Sequence, residues 1–274
     1  MTGKTIIITG ASDGIGAAAA RQLTARGEHV VLVGRSPAKT SAVARQLGAD
    51  YYLADFTELA QVRDLAARLA AACPQIDVLA NNAGGIMGHR EVTGDGFEKT
   101  FQVNHLAPFL LTHLLLPVLT ASSAAVLQTS SVAARRYGKL DIDDLQNERD
   151  YSPNKAYGDA KLDNILFTRE LHRRYHDQGI SAVAFHPGNV ATNFASDTTS
   201  SFRFVYRTPL KRLVLITPDQ GGEALTWLAE GTPGTTWTPG EYYEKNHPAR
   251  SSDQATDPEL AGQLWTRSAA MLGL

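Results

Sequence analysis

The fold of this chain is decided near its start by TIIITGASDGIG, residues 5–16, which joins a short apolar strand to a glycine-rich turn. An Ala-rich helix over residues 14–26 follows directly and ends before Gly27. Between a first strand and a first helix, glycines let the backbone approach a pyrophosphate that lies on the helix N-terminus. Elsewhere the same glycines would indicate only a turn, so it is their context that predicts a dinucleotide-binding turn. The spacing, Gly-x-x-x-Gly-x-Gly, is longer in its first gap than the common fingerprint.

Outward from this unit, short apolar runs alternate with helical patterns, which is typical of βαβ units around a parallel sheet. Their Ile, Val and Leu residues are continuous rather than alternating, so the sheet should be covered on both faces. We predict one α/β domain, residues 1–274, with a Rossmann-type doubly wound parallel sheet of about seven strands and helices on both faces. The predicted strands are 5–9, 29–33, 51–54, 76–80, 124–129 and 180–185, and the predicted helices are 14–26, 37–47, 58–72, 97–120 and 155–177.

The regular alternation stops after His186. Residues 189–217 are rich in Ser, Thr and Arg with scattered aromatic side chains, and we predict that they form an irregular lid over a substrate. A helix over residues 218–230, a short strand near Tyr242 and a last helix from about residue 258 complete the prediction.

Composition excludes several classes of function. The 274 residues carry a formal net charge of −2, which leaves no basic footprint for nucleic acid or an anionic membrane. Cys73 is the single cysteine and suits a reducing compartment. The start of the chain lacks a charged-then-apolar leader, and His113 and Pro117 interrupt the longest apolar stretch. We therefore expect a soluble cytoplasmic protein with no membrane anchor, nucleic-acid partner or metal site.

A second group of residues indicates chemistry. Tyr157 and Lys161 are four positions apart on a predicted helix, so both lie on one face, where an ammonium lowers the pKa of a phenol. Ser130 and Ser131 end a predicted strand, and open α/β sheets bind ligands at the carboxyl ends of their strands. Taken alone, an exposed Tyr/Lys pair and a serine turn or helix cap are the simpler interpretations.

Combined with five further motifs, these residues form an ordered series. The series resembles that of the classical short-chain dehydrogenases/reductases over nearly the whole chain. Residues 101–106, 143–145 and 161–167 are similar to the branch that contains retinol dehydrogenases and WW-domain oxidoreductases, and the long separation of Ser131 and Tyr157 is typical of that branch. The series is Thr9-Gly-x-x-x-Gly14-x-Gly16, Asp55, Asn81-Asn82-Ala83-Gly84, Asn104, Ser131, Tyr157-x-x-x-Lys161 and Pro187-Gly188-x-x-x-Thr192.

The resemblance implies a catalytic role for four residues. Tyr157 exchanges a proton with the substrate oxygen, and Ser131, rather than Ser130, polarises that oxygen. Lys161 lowers the pKa of Tyr157 and binds the nicotinamide ribose, while Asn104 holds a water that links Lys161 to solvent. The cofactor-binding residues implied are Gly10, Ser12, Asp13, Gly14, Ile15, Gly16, Arg35, Ser36, Asp55, Phe56, Asn82, Ala83, Gly84, Tyr157, Lys161, Pro187, Gly188, Val190 and Thr192.

The end of the second predicted strand bears on the choice of cofactor. A carboxylate there would bind the adenosine ribose of NAD(H), but this strand is followed by Arg35 and Ser36, which suit the 2′-phosphate of NADP(H). Asp13 opposes this, because its charge would lie close to that phosphate. We favour NADP(H), with NAD(H) as the alternative.

These features lead to a hypothesis of function. The chain is predicted to be an NADP-dependent ketone or aldehyde reductase, or an alcohol dehydrogenase, acting on a largely apolar small-molecule carbonyl or alcohol. Alternatives are a non-catalytic NAD(P)-binding redox sensor or scaffold, and an epimerase or dehydratase of the extended branch. Family members often pair through helices equivalent to residues 97–120 and 155–177, so a homo-oligomer is also an expectation.

Overall fold

The computed structural model describes residues 3–188 and 216–274. The predicted lid, apart from its last two residues, and the predicted cofactor contacts Val190 and Thr192 lie outside the described residues.

One eight-stranded sheet forms the centre of the molecule, in the order β3-β2-β1-β4-β5-β6-β7-β8. The first seven strands are parallel, and β8 pairs antiparallel with β7. The strand order reverses between β1 and β4, which opens a crevice at the carboxyl ends of these strands. The strands are β1 (Thr5–Thr9), β2 (His29–Gly34), β3 (Asp50–Leu53), β4 (Val78–Asn81), β5 (Ala125–Thr129), β6 (Ser181–His186), β7 (Tyr242–Glu244) and β8 (His247–Pro248).

The doubly wound fold of about seven parallel strands is confirmed, and β8 is the strand that the sequence analysis did not anticipate. Its hairpin turn places Lys245 and Asn246 in the left-handed region, with φ values of 51° and 61°. Two-residue hairpin turns of this type favour Asn-Gly or Asp-Gly, neither of which stands here. With only two residues in the strand and no glycine in the turn, the sequence gives no hairpin signal.

Helices cover both faces of the sheet. One hydrophobic core lies between the sheet and the face that carries α3, α5, α7 and α9, and the second lies under α1, α2 and α8. The helices are α1 (Gly14–Ala25), α2 (Pro37–Leu47), α3 (Leu59–Ala72), α4 (Lys99–Phe101), α5 (Ala107–Ala121), α6 (Ala133–Arg136), α7 (Pro153–Tyr175), α8 (Pro218–Glu230) and α9 (Pro258–Met271).

Helices α4 and α5 are parts of one continuous helix, joined by a π turn at Gln102–Leu106. By length and composition this helix could cross a membrane, and 67% of its most apolar window is buried in the protein. Among the described residues no other helix meets that test. A buried core helix also passes it, so the hydropathy is weak evidence for a membrane span.

The last helix, α9, packs across α7 and α5. The indole of Trp265 lies against the rings of Phe109 and Phe167, at centroid distances of 4.9 Å and 5.6 Å. Beside them, His105 and Ser268 share a buried hydrogen bond of 2.9 Å. Part of the helix surface expected to pair with a second subunit is therefore covered by the chain's own C-terminal helix.

Candidate active site

A cavity of about 720 Å³ opens at the carboxyl ends of the parallel strands, where the strand order reverses. Its volume lies within the range of ligand pockets, roughly 300–1,000 Å³. Most of the predicted site residues line it: Gly10, Ser12, Asp13, Gly14, Ile15, Arg35, Ser36, Asp55, Phe56, Asn82, Ala83, Gly84, Ser131, Tyr157, Lys161, Pro187 and Gly188. Gly16 and Asn104 do not line it.

The glycine-rich turn closes tightly against the loop after β4. Gly10 has a φ of 67°, and a Cβ there would lie 2.8 Å from the Cα of Ala83. A Cβ at Gly16 would lie 2.4 Å from the carbonyl oxygen of Gly10. Gly16 therefore lets α1 pack on the turn, so that the N-terminus of α1 borders the cavity. Backbone amides at a helix start suit an anionic phosphate, so this turn fits a dinucleotide.

Thr9 forms hydrogen bonds that hold the Asn-Asn-Ala-Gly motif against the end of β1. Its Oγ1 accepts hydrogen bonds from the backbone N–H groups of Asn82 (2.9 Å) and Ala83 (3.0 Å). In return, the Asn82 side-chain amide donates to the carbonyl of Thr9 at 2.9 Å. These bonds fix two of the loops that border the predicted cofactor site.

Tyr157 and Lys161 lie on one face of α7, which begins two residues earlier than predicted because Ser152 caps it and Pro153 opens it. Lys161 is only 2% exposed, and its Nζ lies 5.4 Å from the centroid of the Tyr157 ring. The Nζ donates to the carbonyl oxygen of Thr129 at 3.1 Å. Burial lowers the pKa of Lys161 to about 7, because the charged ammonium is less stable inside the folded protein than in water.

The two serines after β5 differ in their contacts. Ser130 is buried, and its hydroxyl donates to the carbonyl oxygen of Lys161 at 2.7 Å. Ser131 is half-buried, and its Oγ accepts a hydrogen bond from the N–H of Ala133 at 3.2 Å. The hydroxyl hydrogen of Ser131 thus remains available for a ligand oxygen, whereas that of Ser130 is used to hold α7.

Asn104 stands in the π turn, and its side chain is engaged within the protein. Its Nδ2 donates to the carbonyls of Gly85 (2.9 Å) and Thr100 (2.8 Å), and its Oδ1 accepts from the Gly85 N–H at 3.0 Å. A Cβ at Gly84 would lie 2.4 Å from that Oδ1 and 3.1 Å from the Nζ of Lys161. The side chain of Asn104 thus holds the loop after β4 against the region of Lys161.

A charged group that the sequence analysis did not select lies at the end of the cavity that contains Arg35. Lys39, in the first turn of α2, lines the cavity beside Arg35 and Ser36. Its Nζ forms an ion pair with Asp13 at 2.9 Å. The position of Lys39, four residues after Arg35 and next to a serine cap, was a signal in the sequence. Its pairing with Asp13 was not, because the two residues belong to different βα units.

The opposite end of the cavity contains further residues that the sequence analysis did not select. His186, at the end of β6, has a pKa lowered to about 4, chiefly by burial. Its Nδ1 and the Oδ1 of Asn154 are buried and have no hydrogen-bond partner among the described residues. The others at this end include Ile86, Met87, His89, Val132, Ala133, Arg136 and Tyr137.

Among the described residues, no group of three or more His, Cys, Asp or Glu side chains is arranged to hold a metal ion. His172 and His176 do pack against each other, with ring centroids 4.6 Å apart.

Three comparisons relate the sequence or the structure of this chain to known proteins. A family model described as short chain dehydrogenase matches residues 4–201. A protein of Streptomyces sp. (strain C5), provisionally named a daunorubicin C-13 ketoreductase, is 42% identical over 280 residues that cover 100% of this chain and 94% of that protein. Retinol dehydrogenase 13 of Homo sapiens is 34% identical over 283 residues, covering 99% and 85%. A solved structure of an uncharacterised protein of Mycobacterium paratuberculosis has a TM-score of 0.78 at 31% identity, covering 98% and 93%.

Proposed function

The chain belongs to the short-chain dehydrogenase/reductase family, in its retinol dehydrogenase-like branch, and is an NAD(P)-dependent oxidoreductase acting on CH–OH or C=O groups. From this premise we propose that it is an NADP-dependent reductase of ketones or aldehydes, or the corresponding alcohol dehydrogenase. We propose Ser131, Tyr157 and Lys161 as its catalytic residues, with Asn104 as a positioning residue.

The observation that supports this proposal most is that Ser131, Tyr157 and Lys161 line one cavity together with the glycine-rich turn. A redox sensor or scaffold would need only the turn and the loops that hold the nucleotide. Three side chains suited to proton transfer, converging at the other end of the same cavity, are unnecessary for binding alone.

We infer the following roles for these residues in the reduction of a carbonyl group. The bound cofactor supplies the hydride. The hydroxyl of Ser131 donates a hydrogen bond to the substrate oxygen, and the phenol of Tyr157 transfers its proton to that oxygen. The ammonium of Lys161, close to the Tyr157 ring, favours the phenolate that remains. Asn104 keeps the loop beside Lys161 in place through Gly85.

We propose a largely apolar carbonyl compound as the substrate. The support is the apolar wall formed by Ile86, Met87, Val132 and Tyr137, together with the ketoreductase and retinol dehydrogenase names of the relatives.

For the cofactor we propose NADP(H), on the basis of the charges around Arg35. The ion pair with Lys39 compensates Asp13, so the carboxylate does not oppose a phosphate as the sequence alone suggested. Arg35 then offers a forked donor and Ser36 a hydroxyl. We also propose that the protein acts in the cytoplasm without a membrane anchor, since its apolar helix is mostly buried. Cell fractionation tests this location, and recovery with the membrane fraction would contradict it.

The cofactor proposal is tested by dissociation constants for NADP⁺ and NAD⁺. Hydrogen bonds to charged groups are worth about 1.5–3 kcal/mol, so Arg35→Ala should weaken NADP⁺ binding by roughly 10- to 150-fold and leave NAD⁺ binding nearly unchanged. Arg45→Ala, an exposed change on α2, the helix that follows Arg35, is the control. Equal losses for the two cofactors would contradict the assignment of Arg35 to the 2′-phosphate.

The catalytic proposal is tested with a panel of aldehydes, ketones and alcohols, monitored at the nicotinamide absorbance. Tyr157→Phe should abolish turnover and leave the dissociation constant of NADP⁺ nearly unchanged, because the lost hydroxyl acts on the substrate oxygen. Tyr51→Phe, on the exposed edge strand β3, should have parental activity. Tight cofactor binding with no turnover on any compound would favour the redox sensor instead.

A further inference from the structure

We propose that Arg136 is a specificity-determining residue that selects substrates carrying an anionic oxygen group, such as a carboxylate, on an apolar body. This inference rests on the proposed function and names the substrate class of the same cavity. It follows from the position of Arg136, from the pairing of the other charges nearby and from the apolar wall beside it.

Arg136 belongs to the substrate end of the cavity. Helix α6 begins two residues after Ser131, and Ala133 and Arg136 are three residues apart on one helical face. Both line the cavity, together with Val132 and Tyr137 of the same stretch. The nucleotide turn comes from the β1–α1 connection instead, so Arg136 lies on the side of Ser131 and not on the side of Arg35.

Among the described charged residues at this end, Arg136 is the one whose charge has no partner. Glu91 and Lys99, which also line the cavity, form an ion pair of 2.7 Å. Arg135 donates to the carbonyl of Arg250 at 3.2 Å and lies 3.9 Å from Glu244. The guanidinium of Arg136 forms no hydrogen bond or ion pair with any of residues 3–188 or 216–274. Among the described residues that line this end of the cavity, it is therefore the unpaired guanidinium.

Among the described residues at this end of the cavity, His186 does not add a charge beside Arg136. His186 is held neutral because burial, and then the guanidinium charges of Arg135 and Arg136, lower its pKa to about 4 against the opposing effect of Glu244. A neutral imidazole leaves the guanidinium as the group that an anionic substrate would meet.

The other side chains at this end are mostly apolar and suit the uncharged body of the substrate. Ile86 and Met87 face the cavity from the loop after β4, and Val132 and Tyr137 face it from the segment around α6. Tyr137 is 37% exposed, which places an aromatic ring at the mouth. An apolar body that carries a carboxylate would bury its carbon skeleton on these side chains and pair its charge with Arg136.

The test compares matched carboxylate and ester substrates at two lengths: 4-formylbenzoate and 4-formylcinnamate, each against its methyl ester. We expect the parent to prefer the acid in at least one pair. Arg136→Ala should lower kcat/KM for that acid at least tenfold, mainly through KM, and change that of its ester less than threefold. Arg136→Lys should restore part of the preference, and raised salt should reduce it.

Arg135→Ala is the matched control, because its guanidinium is engaged by Arg250 and Glu244 outside the cavity. It should leave the ratio of acid to ester unchanged. The inference is overturned if no acid is preferred, or if Arg136→Ala lowers acid and ester alike. It is also overturned if the variant instead raises the KM of NADPH with every substrate, since Arg136 would then contact the cofactor.

The proposed function can fail separately from this inference. If the parent reduces neither acids nor esters nor any compound of the general panel, the proposed reductase activity fails. Titration calorimetry then tests Arg136 directly: the complex with NADP⁺ should bind 4-(hydroxymethyl)benzoate at least tenfold more tightly than its methyl ester, and Arg136→Ala should remove the difference. Equal binding of the two by the parent would overturn the inference.

Discussion

Replacing Lys161 by methionine should stabilise the cofactor-free protein at neutral pH while abolishing activity. Lys161 is 2% exposed, and its pKa is lowered from 10.5 to about 7 by burial. The unfolded chain therefore binds a proton at this residue throughout the interval from pH 7 to 10.5, whereas the folded protein releases it. Stability rises with pH wherever the unfolded state binds more protons, so the parent is penalised most at the lower end of that interval.

The size of this effect follows from the two pKa values. One pKa unit corresponds to about 1.4 kcal/mol, so the ammonium costs the folded protein on the order of 4 kcal/mol at pH 7 and about 2 kcal/mol at pH 9. Methionine has a similar unbranched shape and carries no charge to bury. The carbonyl of Thr129 that Lys161 contacts also accepts from Asn164 at 3.2 Å, so the substitution leaves it partnered.

The assay is urea unfolding of the two cofactor-free proteins at pH 7, 8 and 9, followed by tryptophan fluorescence. Lys161→Met should be the more stable protein at pH 7, and its advantage should shrink by about 2 kcal/mol at pH 9. Lys139→Met, at an exposed position, should show no such dependence. A difference between parent and Lys161→Met that is constant with pH would refute the argument, because Lys161 would then titrate alike in the folded and unfolded chains.

Four further substitutions probe other parts of the structure. Ser131→Ala should lower kcat by at least tenfold with little loss of stability. Ser130→Ala should retain most activity but lower the free energy of unfolding by about 1 kcal/mol, because it removes the hydrogen bond to the carbonyl of Lys161. Kinetic and unfolding measurements on both variants distinguish the two roles, and the reverse order would move the polarising role to Ser130. Trp265→Ala should destabilise the protein by about 3–5 kcal/mol through the cavity left between α5, α7 and α9, as urea unfolding would report; a loss below about 1 kcal/mol would contradict that packing. Gly16→Ala should weaken both NADP⁺ and NAD⁺ binding, since its Cβ would meet the carbonyl of Gly10, and unchanged dissociation constants would show that the turn adapts.

The sequence predicted those elements whose ends carry their own signals. β1 (Thr5–Thr9), α2 (Pro37–Leu47) and α8 (Pro218–Glu230) have the predicted bounds, because each helix has a capping residue followed by proline and the strand is a pure apolar run. Most motif residues around the crevice were predictable because they follow predicted strands, and parallel strands end at the same edge of the sheet.

What the sequence could not predict depends on contacts between distant segments. Lys39 and Asp13 are 26 residues apart, and their pairing offsets the repulsion that Asp13 alone was expected to exert on a phosphate. The π turn around Asn104 follows an ordinary helical pattern, so no residue type marks it. The isolation of Arg136 becomes visible only after the neighbouring ion pairs are known.

The position of α9 also determines when, during synthesis, this protein is able to finish folding. The apolar surface of Phe109 and Phe167 on α5 and α7 is covered by Trp265, close to the end of the chain. At about 5–20 residues per second, a ribosome needs roughly 5–20 seconds to pass from α7 to α9. During that interval the nascent chain exposes an apolar helical face that α9 has yet to cover. Chaperone demand and aggregation should therefore depend on how quickly the segment between α7 and α9 is translated.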